Sequence, residues 1–231
     1  NKLDDVPDIF KWVNNNKLMD SIKENITSTD RFYFTGGEPT VNKPHKDLLD
    51  FIIEKKLSKN ISLEYNTNMA SIPDELFNKW SNFKEVRLGM SIDGIFEYFD
   101  YIRHPGKWES VEKNLKKIDK DPRLNNIKAT FTVTCSIMNI VHILDLIWWV
   151  KNKNFTRIES ELYIHQLYNP KFYNVQNLPN DVKAIITNLY HDFIDAIYLR
   201  WGDMIHQNWL KKTEKSLNAI LNHMNSIECN D

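Results

Sequence analysis

Two hydrophobic periods alternate along the chain. Five segments show the period-two alternation and the β-branched or aromatic composition of strands: residues 31–35 (RFYFT), 61–66 (ISLEYN), 85–92 (EVRLGMSI), 127–137 (IKATFTVTCSI) and 157–165 (RIESELYIH). Helix-period stripes lie between them. Residues 43–56 place Leu48, Leu49, Ile52 and Ile53 on one face, with Pro44 in the first turn. Residues 71–74 fit a capping box ahead of Leu76, Phe77 and Trp80. Residues 107–118 carry the stripe Trp108, Val111, Leu115 and Ile118, with Glu109–Lys113 and Glu112–Lys116 at i,i+4 on the opposite side. Residues 140–151 are strongly apolar, with Trp148 and Trp149 expected to pack between helices and Asn139 expected to cap the start. Two further amphipathic helices are predicted, over 181–199 and about 204–227. Ahead of Arg31, the positions of Ile9, Phe10, Trp12, Val13, Leu18, Met19, Ile22 and Ile26 give another helical pattern. Strand and helix in strict alternation predict βα units and a parallel sheet.

Parallel strands covered by helices on both faces normally read as unbroken apolar runs. These strands do not. One face of 157–165 carries Ile158, Leu162 and Ile164, and the other carries Arg157, Glu159, Glu161, Tyr163 and His165. The polar faces elsewhere are Lys128, Thr130, Thr132, Thr134 and Ser136; Arg87, Ser91 and Asp93; and Ser62, Glu64, Asn66 and Asn68. The pattern predicts a curved sheet, apolar toward helices and polar toward a wet lumen. A small closed barrel fills its interior with branched apolar side chains, so a polar lumen points to a more open barrel around a large polar ligand. An antiparallel sheet with one solvated face would alternate in the same way, although the intervening helices argue against hairpins.

The chain has 231 residues, enough for one large or two small domains. Its 30 basic and 31 acidic side chains give a net charge of -1. That balance excludes the electrostatic footprint of a general nucleic-acid binder or a polybasic membrane anchor. The longest apolar run, 143–150, is interrupted by Asp145 and too short to span a bilayer. A cytoplasmic protein is expected. The two cysteines, Cys135 and Cys229, cannot supply a disulfide framework or a four-thiolate site. The seven histidines are scattered without metal-ligand spacing, and only His165 falls on a lumen-facing position.

The sharpest motif is Gly36-Gly37-Glu38-Pro39, set between a strand and a helix. Adjacent glycines allow a tight turn and leave backbone N–H groups open to a ligand. Glu38 would then sit at the carboxyl end of a parallel strand, where ligands bind in such folds, able to accept from a ligand ammonium group. Pro39 fixes the turn behind it. A second constellation is Ser91-Ile92-Asp93-Gly94, followed by Arg103 and Pro105-Gly106. A hydroxyl and a carboxylate suit ribose or amino-acid recognition, and Arg103 offers a planar fork for a carboxylate. Asn68 ends the third piece, Asn66-Thr67-Asn68, as a ligand contact or as a turn residue. For each piece a plain turn remains the alternative.

Taken in order, YFTGGEPT (33–40), NTN (66–68), SIDG (91–94), DYIR ending at Arg103, VTCSIMN (133–139) and NPKFYNVQNLP (169–179) resemble the radical S-adenosylmethionine (radical SAM) enzymes, especially their SPASM/twitch-type subgroup. The resemblance covers roughly residues 30–180. It implies an α/β fold, an open partial (β/α)6 TIM-like barrel, here lacking its first strand and cluster loop. It implies a partial core barrel over 1–200 and a C-terminal helical extension over 201–231. Gly36, Gly37 and Glu38, with Pro39 behind them, would bind the methionyl amino group of S-adenosylmethionine. Ser91 and Arg103 would contact its ribose and carboxylate ends, with Asn68 and Asp93 in the same cofactor-binding set. The family's chemistry is reductive cleavage of S-adenosylmethionine by a [4Fe-4S] cluster, giving a 5'-deoxyadenosyl radical that abstracts a substrate hydrogen. A peptide or protein substrate and an electron donor would be the partners of the intact enzyme.

The family's Cys-x3-Cys-x2-Cys loop has no counterpart in this sequence, and clusters need several thiolates together. The chain therefore reads as a fragment or truncated product, expected to be inactive alone. The alternatives are a cluster-less binding or scaffold module using the same pocket and, more remotely, a (β/α)-barrel hydrolase using Glu38 and Asp93.

Overall fold

The computed structural model describes residues 16–226. The expected helical positions Ile9, Phe10, Trp12 and Val13, and Cys229, lie outside the described residues. Strands β1 (Arg31–Phe34), β2 (Ser62–Thr67), β3 (Glu85–Ser91), β4 (Ile127–Cys135) and β5 (Ile158–Gln166) form one sheet in the order β1-β2-β3-β4-β5. The β1/β2 and β4/β5 pairings are parallel. Each strand is followed by at least one helix before the next, the crossover that parallel neighbours require. The order is linear and open, with β1 and β5 at its edges.

Helices α1 (Asn16–Glu24), α2 (Lys43–Glu54), α3 (Asp74–Trp80), α4 (Phe96–Ile102), α5 (Trp108–Lys120), α6 (His142–Lys153), α7 (Asn180–Trp201) and α8 (Gln207–Met224) complete the described chain. Helix α4 was not expected from the hydrophobic pattern. The expected helix through Ile26 instead stops at Glu24, and Ile26 is buried in a separate 3-10 turn, Ile26–Ser28. Neither predicted cap forms. Helix α3 starts at Asp74 behind Pro73, and α6 starts at His142 behind Val141, both without a side-chain cap bond. The expected partner of Glu112 within α5 is replaced by Lys153 of α6, 2.5 Å away.

The chain divides into two compact units, described separately. The first comprises residues up to Thr67, Ser71–Leu88 and Asp121–Lys128. Alternation in β2 buries Leu63 and Tyr65, and α2 and α3 contribute Leu48, Leu49, Ile52, Leu76, Phe77 and Trp80. An aromatic run holds this core: Phe34 stacks on Tyr65, Tyr65 meets Trp80, and Phe77 stands edge-on to Trp80. Buried side chains of this size each contribute about 1.5–3 kcal/mol relative to exposure. The opposite faces of β1 and β2 stay polar, with Tyr33 Oη accepting from Asn66 Nδ2 at 2.7 Å and Arg31 3.6 Å from Glu64.

The second unit comprises Asn68–Ala70, Gly89–Lys120 and the chain from Ala129 onward. Ala129, Phe131 and Val133 of β4 and Ile158 and Leu162 of β5 are buried, together with Val111, Leu115 and Ile118 of α5 and Ile143, Leu146, Ile147 and Val150 of α6. Between Ala129/Ile158 and Phe131/Leu162 the register slips, so β5 bulges at Glu159–Glu161. Helices α7 and α8 pack together and α8 lies on β5, where Trp209 Nε1 donates to the Ser160 carbonyl at 3.1 Å. The polar face is as expected at Thr130, Thr132, Thr134 and exposed Tyr163 and His165, but not at Ser136 and Asp93, which are buried.

Candidate functional site

The twin-glycine turn belongs to the first unit. Strand β1 ends at Phe34, and Gly36 and Gly37 follow with φ of 89° and 56°. That left-handed region penalises any residue with a Cβ, which accounts for both glycines. A Cβ built on either would meet no atom of the described residues within 4 Å, so among these residues nothing packs against the turn. Glu38 is half-buried and caps the short turn Pro39–Val41 with its own carboxylate. Its Oε1 accepts from the Thr40 hydroxyl at 2.7 Å and from the Thr40 backbone N–H at 3.4 Å. The same hydroxyl lies 3.0 Å from the Ser71 carbonyl. Ser71, expected as a helix cap, thus acts through its backbone instead.

His45, in the first turn of α2, packs against the last residue of β1 and against β2. Its Nε2 lies 2.8 Å from Tyr65 Oη, and its ring meets Phe34 edge-on at 4.6 Å. Burial, helped by the nearby charges of Lys46 and Lys79, pushes its pKa down from 6.5 to about 4. Burial likewise raises the Tyr65 phenol above its ordinary value. His45 is therefore a neutral structural residue at neutral pH.

The remaining predicted site residues belong to the second unit. Asn68 Oδ1 accepts from the Ala70 N–H at 2.9 Å, the Asx-turn geometry foreseen as its alternative role. Ser91 closes β3 and is half-buried. Asp93, expected on the open polar face, is only 6 % exposed. The strand ends at Ser91, so alternation no longer governs the next residues, and the carboxylate turns inward. Asp93 Oδ1 accepts from the Thr134 N–H at 2.8 Å, and Oδ2 pairs with Arg103. Asn139, expected as a helix cap, donates instead to the carbonyls of Asp93 (3.0 Å) and Thr134 (2.9 Å) and accepts from the Ser136 N–H at 2.8 Å. Arg103 closes α4, and its Nε is buried without a hydrogen-bond partner, leaving one donor of the fork for an acceptor. Sequence reasoning missed Thr40, whose hydroxyl reaches back two residues to Glu38, and the Thr134 amide, which the fold brings to Asp93.

Other candidates separate from these residues. Glu161 is taken by Lys212 at 2.6 Å, while the Glu159 charge, with burial second, raises the neighbouring Tyr163 phenol. Trp148 packs on Phe193 and Trp201, and Trp149 on Trp108 and Phe155, but both also line an open groove of about 750 Å³ with Phe96, Tyr98 and His142. With both Asp93 oxygens engaged, a hydrolase pairing Glu38 and Asp93 has no second carboxylate poised for proton transfer.

Taken unit by unit, the donors and acceptors present match groups of an amino acid, and they do not fit a cluster. An open glycine turn beside a held carboxylate suits an ammonium group, and the Arg103 donor suits a carboxylate. Cys135 is the free cysteine among the described residues, buried on β4, and burial beside the Asp93 charge pushes its thiol up to about 12. One buried thiol cannot hold a cluster, which needs several thiolates together, and no group of three or more histidine, cysteine or acidic side chains among the described residues could hold a metal.

The family profile described as the radical SAM superfamily matches residues 8–136. The chain belongs to that superfamily, and its open α/β sheet is the partial TIM-like barrel of the radical SAM fold. Solved structures agree at the level of fold. Streptococcus suis SuiB superposes with a TM-score of 0.50 at 16% identity, covering 82% of this chain and 40% of SuiB. Native anSMEcpe with bound AdoMet and Cp18Cys peptide gives 0.53 at 18%, covering 80% of this chain and 53% of that one. Native anSMEcpe with bound AdoMet gives 0.51 at 17%, covering 82% and 58%. The chain thus spans between 40% and 58% of the length of these relatives. None of the curated proteins compared with it matches.

Proposed function

We propose that this chain is the S-adenosylmethionine-binding core of a radical SAM enzyme of the SPASM/twitch type. The carrying observation is the twin-glycine turn at the end of β1, left-handed at both residues and unpacked among the described residues, with Glu38 held beside it. The Glu38 carboxylate, with the backbone carbonyls of Gly36 and Gly37, accepts from the methionyl ammonium. Pro39 and the turn it starts hold the carboxylate in place. In the second unit Ser91 takes the ribose, Arg103 takes the ligand carboxylate, and Asp93 holds Arg103. Asn68 shapes the loop after β2.

Reductive cleavage and hydrogen abstraction would require a [4Fe-4S] cluster. The described residues supply no ligands for that group, and no step of the chemistry is assigned to them. A peptide substrate is favoured because one of the structures sharing the fold holds a peptide beside AdoMet. Residues 1–200 are read as the core barrel and 201–231 as a helical extension. No described helix is long and apolar enough to cross a membrane, which accords with a cytoplasmic enzyme. The test is calorimetry with S-adenosylmethionine on the chain and on Glu38→Gln. Binding weakened about tenfold or more by the loss of one charge-assisted contact supports the reading. Equal affinity, or no binding to either, overturns it.

A further inference from the structure

We propose that Thr40 is a positioning residue that sets the orientation of the Glu38 carboxylate before any ligand arrives. The inference rests on the reading of Glu38 as the ammonium-binding group. Thr40 is fully buried, whereas Glu38 is half-buried. Two donors of one residue, hydroxyl and backbone N–H, land on the same oxygen, Oε1. Together they anchor Oε1, which limits the directions in which the carboxylate can point.

The hydroxyl has one proton and two acceptor oxygens around it, Glu38 Oε1 at 2.7 Å and the Ser71 carbonyl at 3.0 Å. With Glu38 ionised, the proton goes to the carboxylate, since a charge-assisted bond is shorter and stronger than a neutral one. The Ser71 carbonyl, 31 residues away in sequence, then marks the other direction the hydroxyl can take, so its rotation is confined to two oxygens. A glutamate on a flexible stem must be ordered when it grips a cation, and that ordering costs affinity. Thr40 removes part of the cost in advance. Valine has the same shape without the hydroxyl, and serine keeps the hydroxyl without the methyl, so the two substitutions separate packing from orientation.

The experiment measures binding of S-adenosylmethionine and of 5'-methylthioadenosine, its fragment without the amino acid, to the wild-type chain, Thr40→Val, Thr40→Ser and Glu38→Gln. The expected result is that Thr40→Val weakens S-adenosylmethionine about tenfold, as loss of one hydrogen bond to a charged group should. Thr40→Ser stays near wild type, and the fragment binds all four proteins equally. If Thr40→Val lacks a folded circular dichroism spectrum, Thr40→Ala replaces it. Unchanged affinity in the hydroxyl-free variant while Glu38→Gln weakens binding overturns the role of Thr40 alone. Equal losses for both ligands show a structural effect and also overturn it. A wild-type chain insensitive to Glu38→Gln overturns the reading of Glu38, and this inference with it.

Discussion

Acidifying the chain should destabilise the core around His45, which bonds to Tyr65 and packs on Phe34. His45 titrates near 6.5 in the unfolded chain and at about 4 in the folded one, with burial as the main cause. The unfolded state therefore binds more protons between those two values, and stability falls as pH drops through that window. Above the window His45 is neutral in both states and its contribution is complete. Each unit of separation is worth 1.36 kcal/mol, so the loss approaches about 3 kcal/mol by the bottom of the window. His45 is 6 % exposed, so solvent screening takes little from that figure. Urea denaturation at a series of pH values from 7.5 to about 4.5, on wild type and on His45→Gln, measures it. Carboxylates held below their ordinary range, such as Glu85 and Asp119, lose stability at still lower pH in both proteins, and the lowered His223 contributes equally to both. They cancel in the difference. Wild type should lead His45→Gln near neutrality, because the Tyr65 hydroxyl keeps its partner, and should surrender that lead on acidification. Parallel curves for the two proteins would refute the reasoning.

Gly37→Ala should destabilise the chain by about 1–2 kcal/mol, because alanine at a φ of 56° is strained even with open space around its Cβ; denaturant midpoints at constant m-value measure it. Asp93→Asn should cost about 3 kcal/mol, because it leaves the Arg103 charge without its buried partner while the Thr134 bond can persist. A double-mutant cycle with Arg103→Met should show coupling, and additivity would exclude it. In a Cys229→Ser background, Cys135 should resist thiol reagents in the native chain up to alkaline pH and react at once in denaturant, since burial and the Asp93 charge push its thiol up to about 12. Fast native labelling would contradict that placement.

The strands were legible to within a residue or two because burial alternates along them, so period-two patterning survives in Ser62–Thr67 and Ile127–Cys135. Alternation stopped informing where strands stopped. Asp93 extrapolates to the open face only if β3 continues past Ser91, and it does not. Cap assignments failed for a related reason. Asn139 and Ser71 have cap-forming side chains, but each helix begins two or three residues later, and each residue bonds to atoms far away in sequence. Helix α4 (FEYFDYI) is short and aromatic on several sides, so it carries no clear stripe. The glycine turn was readable locally because its conformation is a local property. The role of Thr40 was not, because it depends on the short turn over Pro39–Val41 that points the hydroxyl back at Glu38.

Amide resonances of Gly36 and Gly37 offer the most direct view of whether the turn holds the ligand. On titrating the nitrogen-15-labelled chain with S-adenosylmethionine, both should shift progressively and saturate together, and Glu38→Gln should move saturation to higher concentration. Resonances that stay fixed while the ligand binds elsewhere, or that never respond, would contradict the account.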